Sequence, residues 1–277
     1  MIISDKYKFV FVHIPKCAGS YVRDKLIAYD DTNGMFTKRV AYHQDLGLLD
    51  YVHLPLSTLQ QYFPEEYAKI KNYWSFVIVR DPYKRFPSSF SQHVLMYEKK
   101  RIYNLKRKEI TRSLDKAISY LSQYGDQKQL PAEYIHFQKQ KDYIYFEEEK
   151  IIDSLFLIDD LHTCQEVFKQ NTGLDILFHK NDDKINEMVV VKNQALKTTL
   201  DFVRPLSDMV TKHFSEEVKQ YIRSFVYVPR DKRFKDIFQS NYVLDFVSNY
   251  YKEDIDLVDR TGKVLKKVKL QKTEENL

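Results

Sequence analysis

Residues 8–29 read KFVFVHIPKCAGSYVRDKLIAY, and three backbone habits succeed one another within them. Residues 8–14 (KFVFVHI) are β-branched, aromatic and apolar, the composition of a buried strand. Pro15 and Gly19 then punctuate a turn, after which Val22, Leu26 and Ile27 recur at helical spacing. The segment therefore predicts strand, tight loop, helix. A helix that starts directly behind such a turn leaves its first amides unpaired, and its dipole favours negative charge there. Lys16 sits in the turn, Gly19 permits close backbone approach and Ser20 adds a hydroxyl. Together they make an anion cradle; an ordinary β–α turn with a surface lysine is the competing reading.

A second unit of the same kind follows. YWSFVIV (73–79) reads as another apolar strand, closed by Arg80-Asp81-Pro82. Asp81 is a good N-cap and Pro82 suits the first helical position, while Pro87 should kink or shift that helix start. FVIVRDPYKRFPSSF (76–90) thus places Arg80 at the carboxyl end of a strand and Ser88 eight residues on, in the next helix. Ligands of open α/β sheets sit outside the carboxyl ends of the strands. One end carrying Lys16 and another carrying Arg80 can hold two separated anionic groups, the arginine through a bidentate fork. A salt bridge combined with a helix cap is the plainer alternative for Arg80-Asp81-Pro82.

Further along, residues 57–72 suggest a helix or helix pair broken at Pro64, and 109–124 a helix stopped by Gly125. LFLI (155–158) reads as a short central strand. Asp159 or Asp160 caps the next helix, whose Leu161, Cys164, Val167 and Phe168 share a face before Gly173 ends it. Residues 207–225 and 240–251 look helical, and 260–277 form a charged, frayed tail. Strands alternating with helices predict an α/β fold with a central, mostly parallel sheet flanked by helices, as a single domain over 1–259.

Composition narrows the function. The 277 residues carry 44 basic and 39 acidic side chains, a net charge of +5 spread along the chain. Basic and aromatic residues are not gathered into one stripe, which argues against nucleic acid as partner. Two cysteines, Cys17 and Cys164, make neither a disulfide framework nor a zinc site by themselves. The six glycines include no G-x-G pair, which excludes the dinucleotide fingerprint, and there is no G-x-x-x-x-G-K-[ST] loop. No apolar run approaches the ~20 residues that span a bilayer, and the N-terminus lacks a signal-peptide layout. A cytoplasmic enzyme is expected.

HIPKCAGS (13–20) and VRDPYKRFPS (79–88), about 65 residues apart, resemble the two nucleotide-binding motifs of the sulfotransferases that use 3′-phosphoadenosine 5′-phosphosulfate (PAPS). The likeness is greatest to the carbohydrate-type branch around the heparan 2-O- and chondroitin enzymes and to bacterial members. HLPLSTLQQYF (53–63), HFQKQKDYI (136–144), residues 154–174 and the Tyr-x-x-Asp stretch in 240–257 extend it over most of 8–255. Pro87 departs from the usual aliphatic residue.

The resemblance implies a P-loop-like three-layer fold and in-line transfer of a sulfuryl group from PAPS to an acceptor hydroxyl, on a saccharide. It implies that Lys16 stabilises charge on the bridging oxygen and that the amides of Cys17, Ala18, Gly19, Ser20 and Tyr21 hold the 5′-phosphate. Arg80 and Ser88 would then read the 3′-phosphate. Absence of an anchor and of luminal disulfides suits a bacterial, cytoplasmic member. No metal is expected, because the sequence offers no evident metal-ligand cluster. A histidine suits the acceptor's general base; the resemblance points to His53, with His136 second. His13 fixes loop geometry, and Cys17 is a packing residue. Arg230, Lys232 and Arg233 form a basic cluster read as a solvated loop. The competing functions are an ATP-using kinase on the same cradle and a non-catalytic nucleotide- or glycan-binding module of the same fold.

Overall fold

The computed structural model describes residues 1–178, 189–191, 227–229 and 234–274. Its centre is a four-stranded sheet of β1 (Ile2–Ser4), β2 (Phe9–Phe11), β5 (Trp74–Val79) and β8 (Ser154–Leu157), in the order β1-β2-β5-β8. β2 runs parallel to β5, with Phe9 opposite Trp74 and Phe11 opposite Phe76; β5 runs parallel to β8, with Val79 opposite Leu157. Residues Ser75 to Val79 are all buried, as the continuous apolar run of a strand covered on both faces requires.

The sheet differs from the sequence reading at one edge. β1 pairs antiparallel with β2, and its three residues are too few to show a period. β2 itself is shorter than 8–14. The Val12 amide still bonds Phe76 O at 3.1 Å, but Pro15 carries no amide and the chain turns away.

Helices cover the sheet. α1 (Gly19–Leu26) follows β2. A hairpin of β3 (Val40–His43) and β4 (Gly47–Asp50) comes next, joined by a turn in which Gly47 takes φ 69°. α2 (Leu56–Tyr62) and α3 (Pro64–Asn72) are the expected pair, with Pro64 at the first position of the second. α4 (Pro82–Tyr97) starts where expected: the Asp81 carboxylate accepts from the Tyr83 amide at 2.8 Å. Pro87 neither breaks nor displaces it. Phe86, Phe90 and Val94 on its buried face pack with Ile110, Leu114 and Leu121 of α5 (Arg107–Tyr124), a second core beside the sheet.

The small ribbon of β6 (Tyr145–Phe146) and β7 (Glu149–Lys150) leads to β8. Ile158 opens a short 3-10 turn rather than ending the strand. α6 (Leu161–Thr172) is capped by Asp160 and closed by Gly173 at φ 73°. β9 (Val189–Val191) and β10 (Tyr227–Pro229) pair with each other. α7 (Lys235–Phe238), α8 (Asn241–Tyr250) and α9 (Lys252–Glu274) complete the chain.

The expected frayed tail is corrected here. α9 continues through residue 260, Thr261 is buried, and Gly262 lies against Leu157 of β8. The expected helix at 207–225 and the cluster Arg230, Lys232 and Arg233 lie outside the described residues. Among the described residues no helix is long and apolar enough to cross a membrane.

Candidate active site

Because β2 and β5 are parallel neighbours, their carboxyl ends open side by side and their loops touch. The Arg80 guanidinium donates from Nη1 to the Lys16 carbonyl at 3.2 Å. The loop behind β2 is coiled tightly: Lys16 (φ 65°) and Ala18 (φ 59°) both take left-handed conformations. Left- and right-handed residues in succession turn neighbouring amides toward a common concavity, an anion nest. The amides of Cys17, Ala18, Gly19 and Ser20 lie in this turn and at the first positions of α1. The Tyr21 amide closes the first turn on Ala18 O at 3.0 Å. Lys16 Nζ lies 3.4 Å from Gln92 Oε1 on α4. Ser88 is half-buried on the same helix.

Gly19 also answers to a constraint from within the fold. A Cβ there would meet His13 Cδ2 at 1.9 Å, so the missing side chain makes room for an imidazole. His13 therefore supports the loop from beneath. Cys17 is buried, donates to Gln140 Oε1 at 3.3 Å, and has its thiol pushed up to about 11 by burial. A thiol held protonated in this way packs and does not attack.

Three residues that lie in the quoted motif segments but were given no site role hold the two loops together. Gln140 accepts from the Arg80 amide at 2.9 Å and donates to the Arg80 carbonyl at 2.8 Å, clamping that backbone on both sides. Arg85, 1% exposed, donates to Pro15 O at 3.0 Å, Gln138 O at 2.7 Å and His136 O at 3.3 Å. Asp254 on α9 accepts from the amides of Gln140 and Lys141 at 2.7 and 2.9 Å, and lies 4.0 Å from Arg85 Nη1. Tyr251, one turn earlier, donates to Phe137 O at 2.8 Å. The arginine, the glutamine and the Tyr-x-x-Asp turn thus bolt both anion loops to segment 136–141. Only the matching of the whole motifs hinted at them, since each contact spans 51 residues or more.

The histidines lie in a buried row. His13 and His53 have ring centroids 4.5 Å apart in edge contact, and His53 and His136 are 5.4 Å apart. His53 Nδ1 is 3.1 Å from His13 O, which sets Nδ1 as the protonated nitrogen and leaves the lone pair on Nε2. Burial lowers the pKa of both His13 and His53 well below the ordinary imidazole value. His136 falls to about 3, through burial first and the nearby charge of Lys16 next. All three are neutral at physiological pH.

The sequence offers no evident metal-ligand cluster, yet the fold brings one candidate group together. The hairpin returns Asp50 beside the histidines, and ligand atoms of Asp50, His53 and His136 lie within 4.8 Å of one another. Residues distant in sequence meet only in the fold, so no spacing rule revealed them.

The tight turn behind one strand, an arginine behind its parallel neighbour and a buried imidazole row belong to a P-loop-like α/β protein, with the loops in contact at the carboxyl ends of β2 and β5. A sequence model described as the sulfotransferase family matches residues 1–259, and the chain belongs to that family. It is accordingly a transferase of sulfuryl groups. No curated protein and no solved structure matches the chain.

Proposed function

We propose that the chain moves the sulfuryl group of PAPS to a hydroxyl of a saccharide, in the manner of the carbohydrate-type branch. The observation that carries this reading is the contact of the two loops: the nest bearing Lys16 and the guanidinium of Arg80 meet at 3.2 Å. A ligand with phosphates at both the 5′ and the 3′ position suits that pair better than one with a single phosphate chain. The amides of Cys17 to Ser20 take the 5′-phosphate, and Arg80 with Ser88 takes the 3′-phosphate.

In the transfer, the bond from sulfur to the bridging 5′-phosphate oxygen breaks as the acceptor oxygen bonds to sulfur. The electron pair stays on the phosphate oxygen, where Lys16 stabilises it. The acceptor proton passes to Nε2 of His53, which is neutral and whose other nitrogen is tied to His13 O. The products are the sulfate ester and 3′,5′-diphosphoadenosine (PAP). An open groove of about 760 Å³ between the hairpin and α2, lined by Tyr62, Tyr97, Gln61, Ser57 and Lys128, suits a saccharide in size and chemistry. Aromatic faces and amides are suited to sugar rings and hydroxyls.

Lys16→Ala tests the reading. Loss of one charge-stabilising donor costs about 10²–10³ in turnover, so PAP release from PAPS with an acceptor mixture should fall at least that far while the circular dichroism is unchanged. Near-normal turnover would remove Lys16 from the reaction.

A further inference from the structure

We propose that Asp50, His53 and His136 form a binding site for one divalent transition-metal ion of the Zn²⁺ class. The three side chains come from the end of β4, the loop behind it and the 3-10 turn Ile135–Phe137, and are 1%, 4% and 1% exposed. Their ligand atoms already lie within 4.8 Å of one another. Zinc bonds of about 2.0–2.2 Å would draw them together by roughly an ångström, within reach of ring and carboxylate rotations.

Two polar atoms of these side chains are otherwise unexplained. Asp50 Oδ2 and His136 Nδ1 are buried with no hydrogen-bond partner, a costly state that ligation would relieve. The supporting contacts are those a metal site uses. Asp50 Oδ1 accepts from the Val52 amide at 3.1 Å, which aims the carboxylate. His53 Nδ1 meets His13 O at 3.1 Å, which fixes the tautomer and points the lone pair of Nε2 away from that carbonyl. Two imidazoles and one carboxylate, with a water in the fourth position, suit zinc. Two imidazoles with a single carboxylate weigh against Mg²⁺ or Ca²⁺, which take several oxygen ligands, and favour ions with affinity for nitrogen.

Loading the site would commit the lone pair of His53, so the ion should act as a reversible inhibitor of transfer. That consequence, unlike the site itself, rests on His53 being the base.

The test is titration of the chelator-stripped full chain with Co²⁺, followed by visible d–d absorption and competed with Zn²⁺. One equivalent should bind, and Asp50→Asn and His136→Gln should each weaken binding at least tenfold. An unchanged affinity in both variants, or a thiolate-to-cobalt band placing the ion on Cys17 or Cys164, would overturn the proposal. Should the variants not fold, wild-type melting decides. Zn²⁺ should raise the midpoint where Mg²⁺ does not, and equal or absent shifts overturn the site. PAP titration of the same samples separates the two readings, because intact PAP binding without cobalt uptake ends the metal proposal alone.

Discussion

Arg85→Met removes a guanidinium that holds three carbonyls at 3.0, 2.7 and 3.3 Å inside the protein. Hydrogen bonds from a charged donor contribute about 1.5–3 kcal/mol each, and three of them taken alone would suggest roughly 4.5–9 kcal/mol. Two terms reduce that figure. Burying the guanidinium is itself costly, and methionine fills much of the space with apolar contacts. Against this, Asp254 loses its counter-charge at 4.0 Å and keeps only the amides of Gln140 and Lys141. Breaking a buried pair by removing one partner costs about 3–5 kcal/mol, the loss expected here. At about 2–4 °C per kcal/mol for a chain of this size, the melting temperature should fall by roughly 6–20 °C. The assay is urea unfolding followed by Trp74, the single tryptophan, which stacks on Phe76 at 4.9 Å. Arg85→Lys should lose most of the same stability, because an ammonium cannot reach the three carbonyls together. A loss below about 1 kcal/mol in Arg85→Met, or full retention in Arg85→Lys, would refute the clamp.

Gly19→Ala forces a methyl to within 1.9 Å of His13, and such overpacking costs about 1–3 kcal/mol; unchanged urea stability would contradict it. His53→Asn should lower turnover about 10²–10⁴-fold with PAP affinity nearly unchanged, and a loss confined to nucleotide affinity would make His53 a nucleotide contact. The buried imidazoles also shape the acid limb. His136 titrates at about 3 when folded against 6.5 as its ordinary value, so the unfolded chain binds the extra proton. Its contribution is present above 6.5 and is lost as pH falls toward 3, at up to about 1.4 kcal/mol per pH unit. Asp142, raised to about 6 by burial from 3.8, has the opposite sign and loses its contribution as pH rises through 6. His136→Gln should therefore reduce the slope of stability against pH by about one proton below 6.5. An unchanged slope in urea titrations from pH 4 to 7 would refute this.

What was legible in the chain was local. The strands carrying Lys16 and Arg80, the cap at Asp81 and the stop at Gly173 each depend on neighbours a few residues away, and all stand where their residues imply. The strand at Ile2–Ser4 and the hairpin that delivers Asp50 were not legible. Three residues show no period, and the hairpin has no Asn-Gly or Asp-Gly turn to announce it. Contacts formed by distant segments were invisible for the same reason. Arg85 stands inside the motif 79–88 with no partner in view until Pro15 and Gln138, 70 and 53 residues away, close around it. The packing of His13 against Gly19 was equally invisible, because only the fold brings the imidazole to the space a Cβ would fill. The charged composition of 260–277 suggested fraying, but Thr261 and Gly262 show that the helix still packs there.

The account depends most on two separated anions being held by the adjoining loops of Lys16 and Arg80. Calorimetric titration with PAP, with ADP and ATP–magnesium alongside, measures that directly. PAP should bind at least tenfold more tightly than ADP, a difference of about 1.4 kcal/mol, and Arg80→Ala should erase the preference. Equal affinities for PAP and ADP, or a preference that survives Arg80→Ala, would contradict the two-anion site; binding of ATP but not PAP would place the chain's nucleotide chemistry elsewhere.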